Sequence, residues 1–170
     1  FLEQFLVFKN FYINVKFAIV DITLGLIYFF NNPYRICKNY LISKNTSDPH
    51  QYGETPLSTM YRIVQEFDIK KDDRILELGS GRGRVCFFLA VYFDFKNVIG
   101  IEFVPFFTHA ANFIKKIFKI KNIEFIKQDL LDVDFKSFNF DVVYLFGTCM
   151  KDDVIKKFLK KNLKNFENKK

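Results

Sequence analysis

The chain has 170 residues, enough for one domain, and its 49% hydrophobic and 26% charged residues exclude a wholly disordered protein. The net charge of +7 allows an acidic partner such as nucleic acid or an anionic membrane, although the C-terminal lysines are better explained as the solvated face and tail of one helix. Those lysines are Lys156, Lys157, Lys160, Lys161, Lys164, Lys169 and Lys170.

The first 44 residues are apolar and aromatic and predict an N-terminal helical segment. Its most apolar run, from Phe17 to Phe30, carries Asp21 and is shorter than the roughly 20 residues that a membrane-spanning helix needs. Asp21 inside a bilayer would cost about 2.5–3.5 kcal/mol. We therefore predict helices that pack on the domain or lie at a membrane surface, with a short membrane anchor as the alternative. The run does not have the flanking pattern of a signal peptide.

A polar loop separates this segment from the rest of the chain. Asn31-Asn32-Pro33 interrupts the apolar pattern, a short helix is predicted over 34–42, and the loop runs from Ser43 to Pro49. We place a domain boundary here, between an N-terminal helical segment over residues 1–44 and a domain over residues 45–170.

The predicted domain begins with a helix and continues as alternating strands and helices. Thr55 or Ser58 can cap the first helix, and Pro56 lies near its first turn. Strands are predicted over 74–78, 97–103, 123–128 and 140–146, and further helices over 85–93, 106–118 and 152–166. This alternation predicts an α/β fold, a parallel sheet with helices on both faces.

Cysteine and histidine residues are sparse. Cys37, Cys86 and Cys149 lie far apart, so no paired metal-binding spacing exists, and an odd, dispersed set favours a reducing compartment. His50 and His109 are isolated. We therefore predict no metal site and a cytoplasmic protein, with membrane association through the N-terminal segment left open.

A glycine-rich loop, Gly79-Ser80-Gly81-Arg82-Gly83, follows the first predicted strand and precedes a helix. Its glycines permit positive φ and a close approach of ligand to backbone, and the free N–H groups at the helix start favour an anionic group. The dinucleotide fingerprint G-x-G-x-x-G is not met because Arg84 occupies its last position. The loop, preceded by Glu77, instead resembles the first motif of class I S-adenosylmethionine-dependent methyltransferases. That resemblance implies a Rossmann-like fold and S-adenosylmethionine as cofactor, with Glu77 near its amine and the loop N–H groups at its carboxylate.

Two further acidic residues follow predicted strands. Glu102 ends the second strand about 20 residues after the loop, where a carboxylate can accept from both ribose hydroxyls; the alternative is a strand-end carboxylate that faces water. Asp129 follows the third strand, where class I methyltransferases commonly place an acidic residue near the adenine amino group; the alternative is an ordinary cap or turn. Phe103 and Leu130, their neighbours, complete the predicted cofactor site.

A narrower resemblance comes from Tyr52-Gly53-Glu54-Thr55, about 20 residues before the first strand. The non-SET histone lysine methyltransferases of the disruptor-of-telomeric-silencing type carry a similar Y-G-E-T. The resemblance implies that Tyr52, Glu54 and Thr55 line the cofactor pocket beside its methionine end. The alternative is a loop that leads into the helix, with Thr55 as its cap. That family has an Asn pair after the fourth strand, whereas the corresponding segment here, Leu145 to Met150, contains no Asn, so histone specificity is not supported.

The predicted sheet has fewer strands than the resemblance implies. A complete class I core has seven strands, whereas about four are predicted before Lys170, in the order 3-2-1-4. We therefore expect a C-terminally truncated domain whose fourth strand has an open edge, where a second chain can pair.

Methyl transfer needs little acid–base chemistry, because the cofactor is already activated and the protein mainly aligns donor and nucleophile and excludes water. No obligate base is predicted, and Glu54 and Thr148 are candidates for orienting catalytic roles. Phe146, Thr148 and Met150 are predicted to border the acceptor channel, and Tyr144 and Cys149 to be packing residues.

The sequence leaves the methyl acceptor open. A protein lysine is the first interpretation, and RNA or a small molecule is the alternative. A third hypothesis is a non-catalytic remnant that binds cofactor weakly or needs a partner chain. The basic tail fits RNA only loosely, since no patch of interleaved aromatic and basic residues is evident.

Overall fold

The computed structural model describes residues 2–46 and 52–167 of the chain. Part of the predicted polar loop, His50 and the last two lysines lie outside the described residues. Four helices come first: α1 (Leu2–Asn10), α2 (Val15–Phe30), α3 (Pro33–Ser43) and α4 (Leu57–Glu66). The α/β part follows as β1 (Arg74–Leu78), α5 (Arg84–Phe87), β2 (Asn97–Glu102), α6 (Pro105–Ile117), β3 (Ile123–Lys127), β4 (Val142–Leu145) and α7 (Asp152–Phe166).

The four strands form one parallel sheet in the order β3-β2-β1-β4, as predicted. The register pairs Ile75 of β1 with Val98 of β2 on one side and with Val142 of β4 on the other. All three side chains are buried, because helices cover the faces of the sheet. Since the strands are parallel, their carboxyl ends lie at one edge, which is where α/β sheets bind ligands.

Two apolar cores lie on opposite faces of the sheet, because successive strand residues point to opposite sides. Ile75 belongs to the larger core, which includes buried residues of α4, α5 and α6. Leu76 belongs to the smaller core, which Phe158 of α7 and Phe135 complete. The helices therefore occupy both faces, as the alternation of elements predicts.

The first three helices, which we call the N-terminal layer, extend the larger core outwards. Phe17 of α2 packs on Phe88 with ring centroids 5.1 Å apart, and Tyr28 packs on Phe107 of α6 at 5.8 Å. The expectation that the N-terminal helices pack on the domain matches these contacts. The domain boundary near residue 44 stays a prediction.

Asp21, the acidic residue within the apolar run, is buried against the α/β part rather than exposed. Its carboxylate accepts two hydrogen bonds of 2.7 Å from the guanidinium of Arg84, the first residue of α5, and one from the Tyr12 hydroxyl at 3.0 Å. Over residues 2–46 and 52–167 no single helix is long and apolar enough to cross a membrane; α2 and α3, bent by 59° at their junction, reach that length and composition only together.

Two local predictions are wrong in detail. Neither Thr55 nor Ser58 caps α4, because Pro56 occupies the N-cap position and makes no side-chain hydrogen bond. The carboxylate of Glu3 in α1 caps the helix instead, accepting from the Ser58 backbone N–H and hydroxyl. The helix predicted over 85–93 is α-helical only at its start and widens into a π-helical turn over Phe88–Tyr92.

Candidate cofactor site at the carboxyl edge of the sheet

A cavity of about 410 Å³ opens at the carboxyl edge of the sheet, a volume typical of small-molecule sites, which span ~300–1,000 Å³. Residues at or just after the carboxyl ends of all four strands line it, and α3 closes one side. The lining includes Cys37, Tyr52, Gly53, Gly79, Gly81, Glu102, Phe103, Asp129, Leu130, Phe146, Cys149 and Met150.

The glycine loop turns sharply between β1 and α5. Gly79, Gly81 and Gly83 have φ values of 72°, 54° and 81°, the left-handed region that L side chains rarely adopt. A Cβ on Gly83 would also lie 2.6 Å from the Phe125 ring, whereas one on Gly79 would meet nothing within 4 Å. The loop backbone is therefore bare towards the cavity. Within the loop, the Ser80 hydroxyl is buried, has no hydrogen-bond partner among the described residues and lines a small side cavity next to the main one.

Glu102 is held rigidly at the end of β2. Its Oε2 accepts from the Gly81 N–H at 2.8 Å and its Oε1 from the Val104 N–H at 2.8 Å. Burial raises the pKa of this carboxyl, while the backbone hydrogen bonds oppose that shift. The side chain is only 6% exposed, unlike the alternative of a strand-end carboxylate that faces water. Each oxygen keeps a lone pair that can accept from a hydroxyl, which fits the predicted ribose contact.

Glu77 lies beneath the glycine loop, and its carboxyl accepts from the Cys86 thiol at 2.8 Å. Burial raises the pKa of Glu77 to about 8, so the carboxyl is protonated at neutral pH. It also lines a small side cavity of about 20 Å³ together with Gly79 and Gly81. A cationic group near this carboxyl would favour its ionised form.

The segment Tyr52–Thr55 lies against the glycine loop. A Cβ on Gly81 would be 3.3 Å from the Tyr52 ring, so loop and segment are in close contact. Burial raises the pKa of the Tyr52 phenol, whose hydroxyl donates to the Glu54 carboxylate. Thr55 is buried and its hydroxyl hydrogen-bonds the Tyr144 hydroxyl at 2.8 Å. The segment therefore connects the glycine loop with strand β4. These contacts exceed those of a loop that only leads into a helix with Thr55 as its cap.

Arg82, inside the glycine loop, forms an ion pair with Glu54 that sequence reasoning missed. Its Nη2 donates to Glu54 Oε2 at 2.7 Å, and its Nε lies 2.6 Å from Oε1. The guanidinium also lies 5.6 Å from the centroid of the Tyr28 ring in α2, within cation–π range. Because both Glu54 oxygens are engaged, a direct contact of Glu54 with an amine would have to compete with Arg82. Its predicted orienting role stays a prediction.

The other predicted residues divide into those that line the cavity and those that do not. Asp129 has features of both interpretations. It lines the cavity, and its Oδ1 accepts from the Leu131 N–H at 2.9 Å as a turn cap. Thr148 is exposed and lies outside the lining, so its orienting role also stays a prediction. Cys149 was expected only to pack, yet it lines the cavity, and so does Cys37 of α3, for which no sequence pattern gave a signal.

Comparison with known proteins identifies a family to which the chain is similar. A family model described as "Methyltransferase domain" matches residues 69–170. The "Probable ribosomal RNA small subunit methyltransferase A" of Methanosphaera stadtmanae is 33% identical over 113 residues, which cover 64% of this chain and 39% of that protein. The "Histone-lysine N-methyltransferase, H3 lysine-79 specific" of Drosophila melanogaster is 37% identical over 54 residues, 32% of this chain and 3% of that protein.

Solved structures agree with the fold. The RNA methyltransferase from Salinibacter ruber, in complex with S-adenosyl-L-homocysteine, superposes with a TM-score of 0.55 at 27% identity over 69% of this chain and 72% of that one. A dimethyladenosine transferase from Plasmodium falciparum shares the fold at 20% identity, with a TM-score of 0.53 over 65% of this chain and 38% of that one. The chain spans less than half the length of the curated relatives described above.

Proposed function

Because the chain belongs to the methyltransferase domain family, we propose that its cavity binds S-adenosylmethionine and transfers the methyl group to a nitrogen acceptor. One observation carries this proposal: the bare glycine loop, the buried Glu102 and Asp129 all face a single cavity of suitable volume. These groups come from the ends of three different strands, so their convergence depends on the predicted strand order.

Each group has a distinct part in holding the cofactor. The Glu102 oxygens are available to two ribose hydroxyls, and Phe103 and Leu130 provide apolar surface on the cavity wall. The backbone N–H groups of the loop suit a carboxylate, and Glu77 beneath them suits an amine. When bound, S-adenosylmethionine supplies an activated sulfonium methyl group.

The chain contributes alignment and exclusion of water rather than a proton acceptor. Glu54 is tied to Arg82, so it does not offer a free base. Phe146, Cys149 and Met150 give the cavity an apolar wall after β4. An acceptor nitrogen that reaches this wall must therefore arrive neutral, because desolvation disfavours a charged amine.

We favour an exocyclic amine of RNA as the acceptor. Such an amine is neutral at physiological pH, so no base has to deprotonate it before the transfer, and the proton that the methylated nitrogen then loses passes to water. The relative from Methanosphaera stadtmanae and the Salinibacter ruber structure are named as RNA methyltransferases. Helix α7 borders the cavity, since Lys161 donates to the Leu131 carbonyl oxygen at 2.9 Å and Val154 lines the wall. Its exposed lysines would lie beside an incoming polyanion.

A protein lysine is the second candidate, supported by a separate observation. The segment Tyr52–Thr55 touches the glycine loop, in the position that the resemblance to the non-SET lysine methyltransferases implies. The Drosophila melanogaster relative is named as a histone-lysine methyltransferase. The two acceptors differ in pH dependence: a lysine must lose a proton first, so its methylation rate should rise about tenfold per pH unit below its pKa, whereas that of an RNA amine should not.

The cofactor site is tested by isothermal titration of the purified chain with S-adenosylmethionine. We expect the Glu102→Ala variant to bind at least about a hundredfold more weakly, since it loses two hydrogen bonds to a carboxylate, each contributing about 1.5–3 kcal/mol. Glu124→Ala, which removes an exposed carboxylate from the neighbouring strand β3, serves as the matched control and should bind normally. A folded wild-type chain that shows no binding would contradict the proposal and would favour a non-catalytic remnant that needs a partner chain.

The acceptor is tested with radiolabelled methyl groups and two substrates, purified ribosomal RNA and a lysine-rich protein. Incorporation into RNA that Lys157→Glu/Lys160→Glu abolishes would support the RNA acceptor. The control Lys116→Glu/Lys121→Glu changes the net charge equally, away from α7, and should retain activity. Labelling of the protein alone, at a rate that rises with pH, would contradict the RNA acceptor and support a protein lysine.

A further inference from the structure

Helix α2 is apolar on two opposite faces. One face, with Phe17, Val20 and Leu24, is buried on the α/β part. The other face remains exposed to solvent, although its residues are equally apolar. A helix that is hydrophobic all round is normally covered on all sides. Something outside the described residues is therefore expected to cover the outer face of α2.

The exposed residues form one continuous stripe. They recur at intervals of three and four, so they lie on the same side of the helix. Their exposed fractions run from 49% at Ile19 to 80% at Phe29. The stripe, which we call the outer stripe, consists of Val15, Ile19, Ile22, Leu26, Phe29 and Phe30. On α7, by contrast, five of the exposed side chains are lysines, as expected of a face in water.

The exposed charges of the N-terminal layer are all positive. Its cations are Lys9, Lys16, Arg35, Lys38 and Lys44, all exposed and without an acidic partner in the described part of the chain. Its only two acidic residues, over 2–46, are turned inward: Asp21 pairs with Arg84, and Glu3 caps α4. The layer therefore presents apolar groups and positive charge with no free carboxylate.

Helix α3 also combines exposed apolar groups with a positive charge, over a shorter stretch of residues. Tyr34, Lys38 and Ile42 are exposed and lie four residues apart, which places an aromatic ring, a cation and an aliphatic chain on one face. Aromatic rings with a polar tip and long basic side chains are the groups that favour a membrane–water interface.

We propose that the N-terminal layer docks on the surface of an anionic lipid bilayer, with the outer stripe of α2 inserted among the acyl chains. The apolar stripe gains from transfer out of water, and the five cations attract anionic headgroups. The opposite face of α2 stays on the protein, because the Asp21–Arg84 pair and the apolar core hold it there. The contact is interfacial rather than spanning, and it is independent of the cofactor site.

The proposal is tested by flotation of the full chain with two kinds of vesicle, pure phosphatidylcholine and phosphatidylcholine with a quarter phosphatidylserine. We expect binding to the anionic vesicles that weakens with added salt. Ile22→Gln/Leu26→Gln should weaken it by about fivefold for each side chain, because both are half exposed and lose partial burial in lipid. Arg35→Gln/Lys38→Gln should weaken it by about fivefold for each cation removed.

Two control variants separate a specific surface from general stickiness. Phe113→Gln/Ile117→Gln removes comparable exposed apolar groups from α6, and Lys156→Gln/Lys157→Gln removes two exposed lysines from α7. Both should bind vesicles like the wild-type chain. Equal losses in the controls, or no flotation of the wild type, would overturn the proposal. A wild type that dimerises in sedimentation and becomes monomeric in Ile22→Gln/Leu26→Gln, without binding vesicles, would assign the stripe to a second copy instead.

Discussion

The buried ion pair between Asp21 and Arg84 allows a quantitative test of how the N-terminal layer is attached. The side chains are 4% and 13% exposed, so solvent screens their attraction little. Asp21→Asn removes the charge but keeps the size, and it leaves the Arg84 guanidinium buried without a counter-charge. Removal of one partner from such a pair costs about 3–5 kcal/mol of unfolding free energy. We expect a loss of this size.

The measurement is urea unfolding at neutral pH, followed by far-UV circular dichroism. Glu66→Gln is the matched control, because it breaks the Arg62–Glu66 pair, whose side chains are 77% and 59% exposed; that pair should contribute about 0–1 kcal/mol. Replacing both buried partners, Asp21→Leu with Arg84→Met, should recover most of the loss, since apolar residues of similar volume often substitute for a buried pair. If Asp21→Asn costs no more than Glu66→Gln, the pair does not hold the layer and the reasoning fails.

Three further outcomes are expected from single residues. Burial raises the pKa of Glu77 from 4.5 to about 8, so the contribution of its protonated carboxyl to stability is complete below pH 4.5 and is lost as the pH rises from there to about 8. Urea unfolding should show wild-type stability falling across this window by an amount on the order of a few kcal/mol. Glu77→Gln should remove most of that slope. Gly83→Ala should destabilise the chain by roughly 2–4 kcal/mol, because the new methyl group lies 2.6 Å from the Phe125 ring and the backbone is left-handed. Gly79→Ala meets no neighbour, so it should show the backbone cost alone, about 1–2 kcal/mol. Equal losses in thermal unfolding would contradict the steric argument. Glu3→Ala should cost about 1 kcal/mol through loss of the α4 cap, and no change in the urea midpoint would show that water replaces the carboxylate.

The features that the sequence predicts well are those with a local signal. Alternating apolar strands and helices, a glycine loop after the first strand and acidic residues after the strands were enough to predict the parallel sheet and its order. The convergence of Gly79, Glu102 and Asp129 on one cavity follows from that order, because parallel strands bring their carboxyl ends to one edge.

The features that sequence reasoning missed depend on contacts between distant segments. Glu3 caps a helix 55 positions further on, and Arg82 reaches back 28 positions to Glu54, and no periodicity or motif encodes such pairs. Asp21 is costly inside a membrane, whereas its partner Arg84 explains why it is tolerated in a protein core. Cys37 reaches the cavity only because α3 folds over it.

The attachment of α2 has a consequence for how the chain is made. Asp21 leaves the ribosome 63 residues before Arg84, and the partners of Tyr28 in α6 follow later still. At ~5–20 residues per second, this apolar helix waits roughly 3–13 s before the surface that buries its inner face is synthesised. During that interval both of its faces are bare. A nascent chain of this kind would bind chaperones. Any lipid surface near the translating ribosome would contact the helix before the rest of the domain has been synthesised.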